Sequence, residues 1–410
     1  MRASIFLLAS LLLLGGCESA DKVLTNTERV LGSRTGRTVL DIATGKDPKQ
    51  ILKERVDAYQ RDPEAVIRDL RTIQRDFNTL MTALTGNVRK TWGENEVKVP
   101  EQKKYVKYTQ NYMSRTIVDF DNGTILVETL DDKAPKESLK KAIVTTLLTP
   151  DDPRSVDLFS DKPITLTGDR PPYLLGLVLD QQGQPIRTPA QAETIATAMI
   201  ERAKTRVVDQ NGVQRQALIA ELTMVANFSN KQAEKYRATV TRYAEQFKIS
   251  PSLIFSVIRT ESNFNPFAVS SAPAYGLMQL VPTSGGRDAY RKAKGKDTIP
   301  SRDYLFDPEN NIELGSAYLH VLSYNLLEQV DNEVSREYCV ISAYNTGTGN
   351  VFKAFAANST SAINQINGLE PPAVYDRLRS NLPYQETRDY LVKVVGFRKQ
   401  FVTLAEGPGR

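Results

Sequence analysis

The first hundred residues carry apolar positions at the spacing of amphipathic helices. Two stretches, opening at Asp47-Pro48 and at Asp62-Pro63, repeat apolar residues every three or four positions. That period places the apolar side chains on one helix face, and an aspartate followed by proline is typical of a helix start. The pattern therefore predicts that residues 18 to about 95 are largely helical and form a helical hairpin or a tether.

The pattern changes to β-branched and aromatic runs between residues 104 and 130. Two such runs flank Asp121-Asn122-Gly123, and an Asn-Gly pair between β-rich runs is typical of a hairpin turn. The rest of the stretch predicts a small α+β domain. Its other elements are a helix over 137–148, a loop over 149–189 with at most a short strand at 173–179, a helix over 190–207, and a segment at 217–225 where a strand is favoured over a helix.

From Ser229 onward the pattern is that of helices, without a convincing strand. Ser229 can cap a helix that runs to about Phe247, and Ser250-Pro251 places serine at a cap and proline at the first helical position. Asp307-Pro308 introduces another helix. The chain is thus predicted to have an α+β fold, with a helical and α+β domain at 17–228 and an all-α domain at 229–410. The helices after Phe247 are expected from Ser250 and over 312–327, 336–344 and 385–402.

The first residues predict export. Arg2 precedes an apolar run at 5–14, which is shorter than the roughly 20 helical residues that span a bilayer and is typical of a secretory signal. The run ends in Leu14-Gly15-Gly16-Cys17, which resembles the lipobox of bacterial lipoproteins. The resemblance implies removal of residues 1–16 and lipidation of Cys17, whereas an ordinary signal with an incidental cysteine is the alternative. Glu18 in place of aspartate favours the outer membrane, on its periplasmic side.

The composition excludes several kinds of chemistry. The net charge of +5 is spread over 410 residues without a dense basic cluster, so nucleic acid is not an expected partner. A lipidated Cys17 leaves Cys339 without a disulfide partner. His320 is the single histidine, which rules out a two-histidine zinc site, and no nucleophile elbow accompanies it. We therefore expect no metal and no other cofactor, and carboxylate chemistry remains.

Glu261 is the carboxylate that the helical pattern singles out. It lies four residues after Val257 and three after Ile258 and thus continues the apolar stripe of the helix that opens at Ser250. Burial raises the pKa of a carboxyl group, as a general acid at neutral pH requires. Asn265-Pro266 predicts that the helix ends just after Glu261. By spacing alone, a buried structural glutamate remains the better interpretation.

Four short motifs change that balance. In chain order they are Glu261-Ser262-Asn263-Phe264-Asn265-Pro266, Tyr275-Gly276-Leu277-Met278-Gln279, Ala343-Tyr344-Asn345 with Gly347 and Gly349, and Glu386-Thr387-Arg388 with Tyr390. Together they resemble the signatures of the soluble-lytic-transglycosylase, goose-lysozyme-like domain family over residues 235–405. The stretch 285–290 and the lipoprotein start are most similar to a membrane-bound branch of that family. The resemblance implies an all-α, lysozyme-like fold for the second domain.

The resemblance also implies an activity and a set of site residues. Glu261 would act as acid and then base to cleave the MurNAc-β-1,4-GlcNAc bond of peptidoglycan glycan strands without water, which leaves 1,6-anhydro-MurNAc ends. Tyr390 would hydrogen-bond the catalytic carboxyl. Arg388 is expected to be structural. The residues implied to contact substrate are Ser270, Met278, Gln279, Tyr344 and Asn345, although Ser270 could instead be a turn residue and Met278 a core residue.

Two other functions stay open at this point. A muramidase that uses water would share the surroundings of Glu261, and only the product distinguishes it. The motif that contains Glu261 holds no second carboxylate, which hydrolases usually need. The other alternative is a lipoprotein that binds peptidoglycan, or acts as a scaffold, without cleaving it.

Overall fold

A computed structural model describes residues 64–166 and 168–406. The predicted signal peptide, the lipidation site at Cys17 and the helix expected at Asp47-Pro48 lie outside the described residues. The chain divides into two compact units between Met81 and Thr82. The division falls within α1 (Glu64–Trp92), which agrees with the helix predicted from the Asp62-Pro63 opening.

After the end of α1, the second unit, Thr82–Arg410, contains a five-stranded antiparallel sheet. Its strand order is β1-β2-β3-β5-β4, and every neighbouring pair is antiparallel. Two helices, α2 and α3, pack on each other and against the sheet. The elements of this part are β1 (Lys104–Thr109), β2 (Ser114–Asp119), β3 (Thr124–Thr129), α2 (Pro135–Leu148), α3 (Pro189–Glu201), β4 (Lys204–Gln210) and β5 (Val213–Thr223).

The predicted turn at Asp121-Asn122-Gly123 is confirmed as the connection between β2 and β3. Asp119 accepts hydrogen bonds from the Asp121 and Asn122 backbone amides, and Gly123 takes the left-handed conformation with φ +65°. The run before this turn is two strands, however, because residues 110–112 all adopt positive φ and reverse the chain between β1 and β2.

Three other predictions of strands and helices in the α+β part can be compared with the structure. The strand expected at 217–225 is confirmed up to Thr223, where β5 ends. The helix expected at 190–207 ends at Glu201, and the prediction was wrong beyond it, because the following residues pair with β5 as strand β4. The short strand allowed at 173–179 is absent from these described residues, which form turns with isolated bridges.

Helices make up the rest of the second unit after the sheet ends at Thr223. Among the described residues from Phe228 on, β structure is limited to isolated bridges. The central helix α5 packs against α4, α8 and α13. The helices are α4 (Phe228–Phe247), α5 (Pro251–Glu261), α6 (Gly285–Lys294), α7 (Arg302–Phe306), α8 (Pro308–Val321), α9 (Glu333–Thr346), α10 (Thr348–Lys353), α11 (Ser359–Asn367), α12 (Pro371–Asn381) and α13 (Gln385–Glu406).

Of the three helix starts predicted after the sheet, at Ser229, Ser250 and Asp307, the last two are confirmed. Ser250 is the N-cap of α5 with Pro251 in the first helical position, and the Asp307 carboxylate accepts from the Asn310 amide 3.0 Å away at the start of α8. Ser229 is not a cap, because α4 already begins at Phe228. The structure is therefore an α+β fold with a helical C-terminal part, as predicted.

His320 and Cys339 have structural roles in the described part of the chain. His320 hydrogen-bonds the Phe247 carbonyl through Nδ1 at 2.8 Å. Cys339 is buried and unpaired. In the described part of the chain, none of the helices combines the length and the hydrophobicity needed to cross a bilayer.

Candidate active site

Glu261 is the last residue of α5 and is nearly buried, with 9% of its surface exposed. The preceding stripe is buried as predicted, at Leu253, Ile254, Val257 and Ile258. Because α5 lies among three other helices, the carboxyl at its C-terminal end is held in apolar surroundings. The sequence prediction of a glutamate on the apolar face, at a helix end, is confirmed.

Burial raises the pKa of Glu261 from its ordinary value of 4.5 to about 8. Tyr390 opposes this shift, and so does the charge of Lys103 from the strand side of the unit, whereas the carboxylate of Glu386 adds to it. The desolvation effect is the largest of these. Glu261 is therefore protonated at neutral pH, as a proton donor must be.

Tyr390 of α13 faces Glu261 from the opposite side of the site. It is 6% exposed, and its hydroxyl has no hydrogen-bond partner of ordinary geometry. The phenol nevertheless lies close enough to lower the pKa of Glu261. Burial and, next, the Glu261 charge raise the pKa of Tyr390 itself. The structure thus brings together these two residues, which lie 129 positions apart, from Glu261 to Tyr390.

Tyr344 and Met278 form the next part of the site. The Tyr344 hydroxyl donates to the Met278 carbonyl at 2.9 Å, and its ring contacts that of Tyr318 with centroids 5.3 Å apart. The Met278 side chain is fully buried and packs on Gly315, where an added Cβ would lie 2.1 Å from the methionine sulfur. Met278 therefore contributes its carbonyl to the site and its side chain to the core beneath.

Gln279 lies beside Met278 in a conformation unusual for its residue type. Its φ of +48° is in the left-handed region. The side chain donates to the Gly276 carbonyl at 2.9 Å, while its Oε1 is buried without a partner. Backbone strain and an unpaired acceptor in one residue are typical of a binding site, where a donor group of the ligand can pair with the acceptor.

Two buried polar residues hold the motif loops in place. Asn311 of α8 accepts from the Met278 amide at 2.7 Å and donates to the Tyr275 carbonyl at 2.8 Å. Thr387 donates to Asn345 Oδ1 at 2.7 Å and so joins the third motif to the fourth. No motif pointed to Asn311, because its sequence position lies far from the loop that it supports.

Ser270 and Arg388 make local contacts. The Ser270 hydroxyl donates to the Ala272 carbonyl at 2.9 Å and accepts from the Ala274 amide at 3.2 Å, which is the geometry of a turn residue. Arg388 donates to the Leu382 carbonyl and to Gln385, as expected of a structural residue.

Two charged residues near Glu261 had not been predicted as part of the site. Glu386 is exposed in the first turn of α13 and belongs to a recognised motif, whereas Lys103 lies before β1, where no motif occurs. Among the described residues, no group of three histidine, cysteine or acidic side chains is arranged to hold a metal ion.

Two family models match the chain side by side. The model described as the N-terminal domain of membrane-bound lytic murein transglycosylase C matches residues 70–235, and the transglycosylase SLT domain model matches residues 238–367. The 70 kDa soluble lytic transglycosylase of Escherichia coli, a solved structure, matches with 26% identity over 40% of this chain and 23% of its own, with a TM-score of 0.30.

Curated relatives match most of the chain. The membrane-bound lytic murein transglycosylase C of Serratia proteamaculans (strain 568) is 40% identical over 82% of this chain and 92% of its own length. The protein of that name from Sodalis glossinidius (strain morsitans) is 42% identical over the same shares. At this identity and coverage the chain belongs to the membrane-bound lytic murein transglycosylase C family and is a lyase that acts on peptidoglycan.

Proposed function

We propose that Glu261 is the single acid and base with which this enzyme cleaves the MurNAc-β-1,4-GlcNAc bond. The observation that carries the proposal is burial of this carboxyl at a helix end, which raises its pKa to about 8. The group then holds its proton at neutral pH and can give it to the oxygen that leaves with N-acetylglucosamine. General acids of this kind are tuned by burial.

The second half of the reaction uses the same residue as a base. Once Glu261 has given its proton to the leaving oxygen, it is a buried carboxylate of high proton affinity. It takes the proton of the muramic C6 hydroxyl as that oxygen attacks C1. The C1–O4 bond breaks, the C1–O6 bond forms, and Glu261 is returned to its protonated state. The product is a 1,6-anhydro-MurNAc end, and no water is consumed.

The neighbouring residues receive roles that fit their contacts. The Tyr390 hydroxyl, which has no hydrogen-bond partner of ordinary geometry in the structure, donates to Glu261 once Glu261 is a carboxylate. The unpaired Gln279 Oε1 accepts from a sugar N–H or O–H. The other substrate-binding positions that we propose are Ser270, Met278, Tyr344 and Asn345, with Met278 acting through its backbone.

Glu386 keeps a water-using reaction as a second candidate. It is an exposed carboxylate close enough to raise the pKa of Glu261, and a hydrolase can use a second carboxylate to activate water. In that case Glu386→Gln removes products with reducing MurNAc ends and leaves the anhydro products in place. If Glu386 is only a nearby charge, the ratio of the two products is unchanged.

The test of the proposal is the Glu261→Gln variant on purified sacculi. Mass spectrometry of the soluble products should show anhydro-muropeptides with the natural protein and at least a hundredfold fewer with the variant, the scale of general acid catalysis. Circular dichroism and sacculus pull-down serve as controls for folding and binding. Undiminished release of anhydro products by this variant would overturn the assignment of Glu261. It would still exclude a lipoprotein that only binds peptidoglycan.

We also propose how the chain is organised and where it acts. Residues 1–16 are a lipoprotein signal peptide, 17–228 an N-terminal helical and α+β domain, and 229–410 the catalytic domain. Lipidated Cys17 anchors the protein to the outer membrane on its periplasmic side. The sequence Leu14-Gly15-Gly16-Cys17 supports this proposal, and the relatives are described as membrane-bound. Replacement of Cys17 by serine should move the protein to the soluble periplasmic fraction.

A further inference from the structure

The β2–β3 turn of the sheet meets the C-terminal end of the catalytic helix. Asn263, two residues after Glu261, makes the contact. Its side chain is buried, and its Nδ2 donates to the Phe120 carbonyl and, at 3.2 Å, to Asp121 Oδ1. Asn263 also has a left-handed φ of +48°, which asparagine tolerates better than most residues. The turn thus hydrogen-bonds directly to the chain that leaves α5.

The oxygen of the same Asn263 side-chain amide also accepts a hydrogen bond. Asn263 Oδ1 accepts from the Arg259 guanidinium, which donates to Ser229 Oγ as well. Arg259 further lies 5.3 Å from the ring centroid of Phe397 in α13, the helix that carries Tyr390. One side chain therefore connects the turn, the start of α4 and the last turn of α5, and through Arg259 it reaches α13.

The turn is itself fixed in place. Gly123 leaves no room for a side chain, because an added Cβ would lie 2.8 Å from the Phe228 ring at the start of α4. Lys103 Nζ lies 3.3 Å from Asp121 Oδ1, the oxygen that accepts from Asn263. This pair holds a cation beside the end of α5, where its charge favours the ionised form of Glu261.

The position of Glu261 makes such a fixation necessary. Glu261 is the last helical residue, and helix ends fray because their carbonyls lack partners within the helix. Catalytic groups must be held within about 0.5 Å of the productive geometry. Behind Glu261, Ser262 Oγ donates to the Leu277 carbonyl at 2.8 Å, which fixes one side. The Asn263 contacts fix the other side against the sheet.

We propose that Asn263 is a positioning residue for Glu261, and that the β2–β3 turn, through Asn263, is part of the catalytic machinery of this enzyme. The inference rests on the proposed role of Glu261. It assigns the sheet a task in the chemical step, because the turn sets where the carboxyl stands and does not have to touch the sugar.

The test compares two variants of the second unit. Each removes a contact between the sheet part, residues 82–223, and the helical part, residues 228–406. Asn263→Gly deletes the hydrogen bonds and permits the left-handed φ. Arg154→Ala is the matched control, because it deletes the 3.1 Å ion pair to Asp307 elsewhere between the same parts. On sacculi, kcat of Asn263→Gly should fall at least about tenfold with KM within about twofold, since small misplacements of reacting groups act on the chemical step. Arg154→Ala should keep the natural kcat.

The opposite side of the contact gives a graded check. Asp121→Asn keeps an oxygen that can accept from Asn263 and removes the charge, whereas Asp121→Ala removes both. We expect the asparagine variant to retain more of the natural kcat than the alanine variant. This check also decides the matter if Asn263→Gly fails to fold by circular dichroism, because Asp121 lies in an exposed turn and both of its variants keep the core.

The outcomes separate this inference from the proposed function. If Glu261→Gln remains active, the proposed function fails. If Glu261→Gln is inactive while Asn263→Gly and both Asp121 variants keep the natural kcat, the role of Glu261 stands and the positioning role of Asn263 is wrong. An equal loss of kcat in Arg154→Ala would also overturn it, because any loosening of the two parts would then have the same effect.

Discussion

At the scale of single residues, the burial that suits Glu261 for acid catalysis lowers the stability of the fold. The pKa of Glu261 is about 8 in the folded chain and near the ordinary 4.5 when unfolded. Between these values the folded state binds more protons than the unfolded state, so the free energy of unfolding falls as pH rises. Residues held in place for function often carry such a stability cost.

Glu261→Gln should therefore stabilise the protein in a pH-dependent way. Glutamine has no proton to lose, so the variant avoids the decline between pH 4.5 and about 8. We expect it to exceed the natural protein by on the order of 4 kcal/mol at pH 8 and to match it near pH 4. Urea unfolding at the two pH values measures this difference. A difference that is constant with pH would show that Glu261 has an ordinary pKa.

Tyr390→Phe tests the phenol opposite Glu261. The hydroxyl lowers the pKa of Glu261, so its removal should raise that pKa. Activity declines as rising pH deprotonates the acid, and this decline should move to higher pH in the variant. The maximal kcat should fall about tenfold, because the carboxylate loses a donor. The pH profiles of kcat/KM and of kcat check the two effects, and a kcat/KM profile of unchanged position would contradict the contact.

Single residues of the site differ in how far the sequence predicts them. Glu261 was predictable because its orientation follows from the helical spacing of its own neighbours. Lys103 and Asn311 were not, because their contacts depend on tertiary packing between segments that are distant in the chain. From the sequence, Ser270 and Met278 are compatible with either a substrate contact or a structural role. The structure gives Ser270 turn contacts and buries the Met278 side chain, whereas their roles toward substrate stay predictions.

At the scale of elements, the sheet is held by a partly buried group of two arginines and two glutamates. Arg115 of β2 contacts Glu128 of β3 at 2.6 Å and Glu96 at 2.7 Å. Arg206 of β4 contacts the same two carboxylates at 2.8 and 2.7 Å. The side chains of Arg115 and Glu128 are 1% and 0% exposed, and the Arg115 guanidinium lies 3.9 Å from the Trp92 ring centroid.

Loss of one charge in this group should be costly. Glu128→Gln leaves Arg115 buried beside a neutral amide, and removal of one partner of a buried pair destabilises by about 3–5 kcal/mol. The control is Glu234→Gln, which breaks a surface ion pair to Arg237 and should cost less than about 1 kcal/mol. Urea unfolding compares the two variants. Equal effects would mean that Glu128 is no more important than a surface glutamate.

The elements themselves were predicted best where local chemistry dominates. The Asn-Gly turn and the starts at Ser250 and Asp307 depend on backbone preferences of a few adjacent residues. The turn before Ser114 was not predicted, because it places three non-glycine residues at positive φ and contains no glycine that would indicate a turn. Residues 204–207, the first part of β4, were assigned to a helix because only the pairing of β4 with β5 decides their conformation. Helices α6, α7, α10, α11 and α12 were not predicted, since each spans about three turns or fewer, which is too short for a reliable period.

At the scale of the whole second unit, Thr82–Arg410, the sheet part and the helical part share one interface. Phe267, in the loop after α5, lies 4.8 Å from Tyr105 and 5.1 Å from Tyr173 between ring centroids. All three rings are buried. Asn265 adds a hydrogen bond of 3.1 Å to the Gln102 carbonyl. Tyr105 of the sheet and Tyr173 of the loop before α3 are thus buried against the loop that follows Glu261.

This shared interface predicts that the unit unfolds in one cooperative transition. Trp92 is the single tryptophan and is buried beside the sheet, so its fluorescence reports the sheet part, while circular dichroism at the helical band reports mainly the helical part. The two urea transitions should coincide. Phe267→Ala should lower both midpoints together, by about 3–5 kcal/mol in unfolding free energy. Two separate midpoints in the natural protein would show instead that the parts fold independently. The contact between the β2–β3 turn and Asn263 would then be too weak to position Glu261 for catalysis.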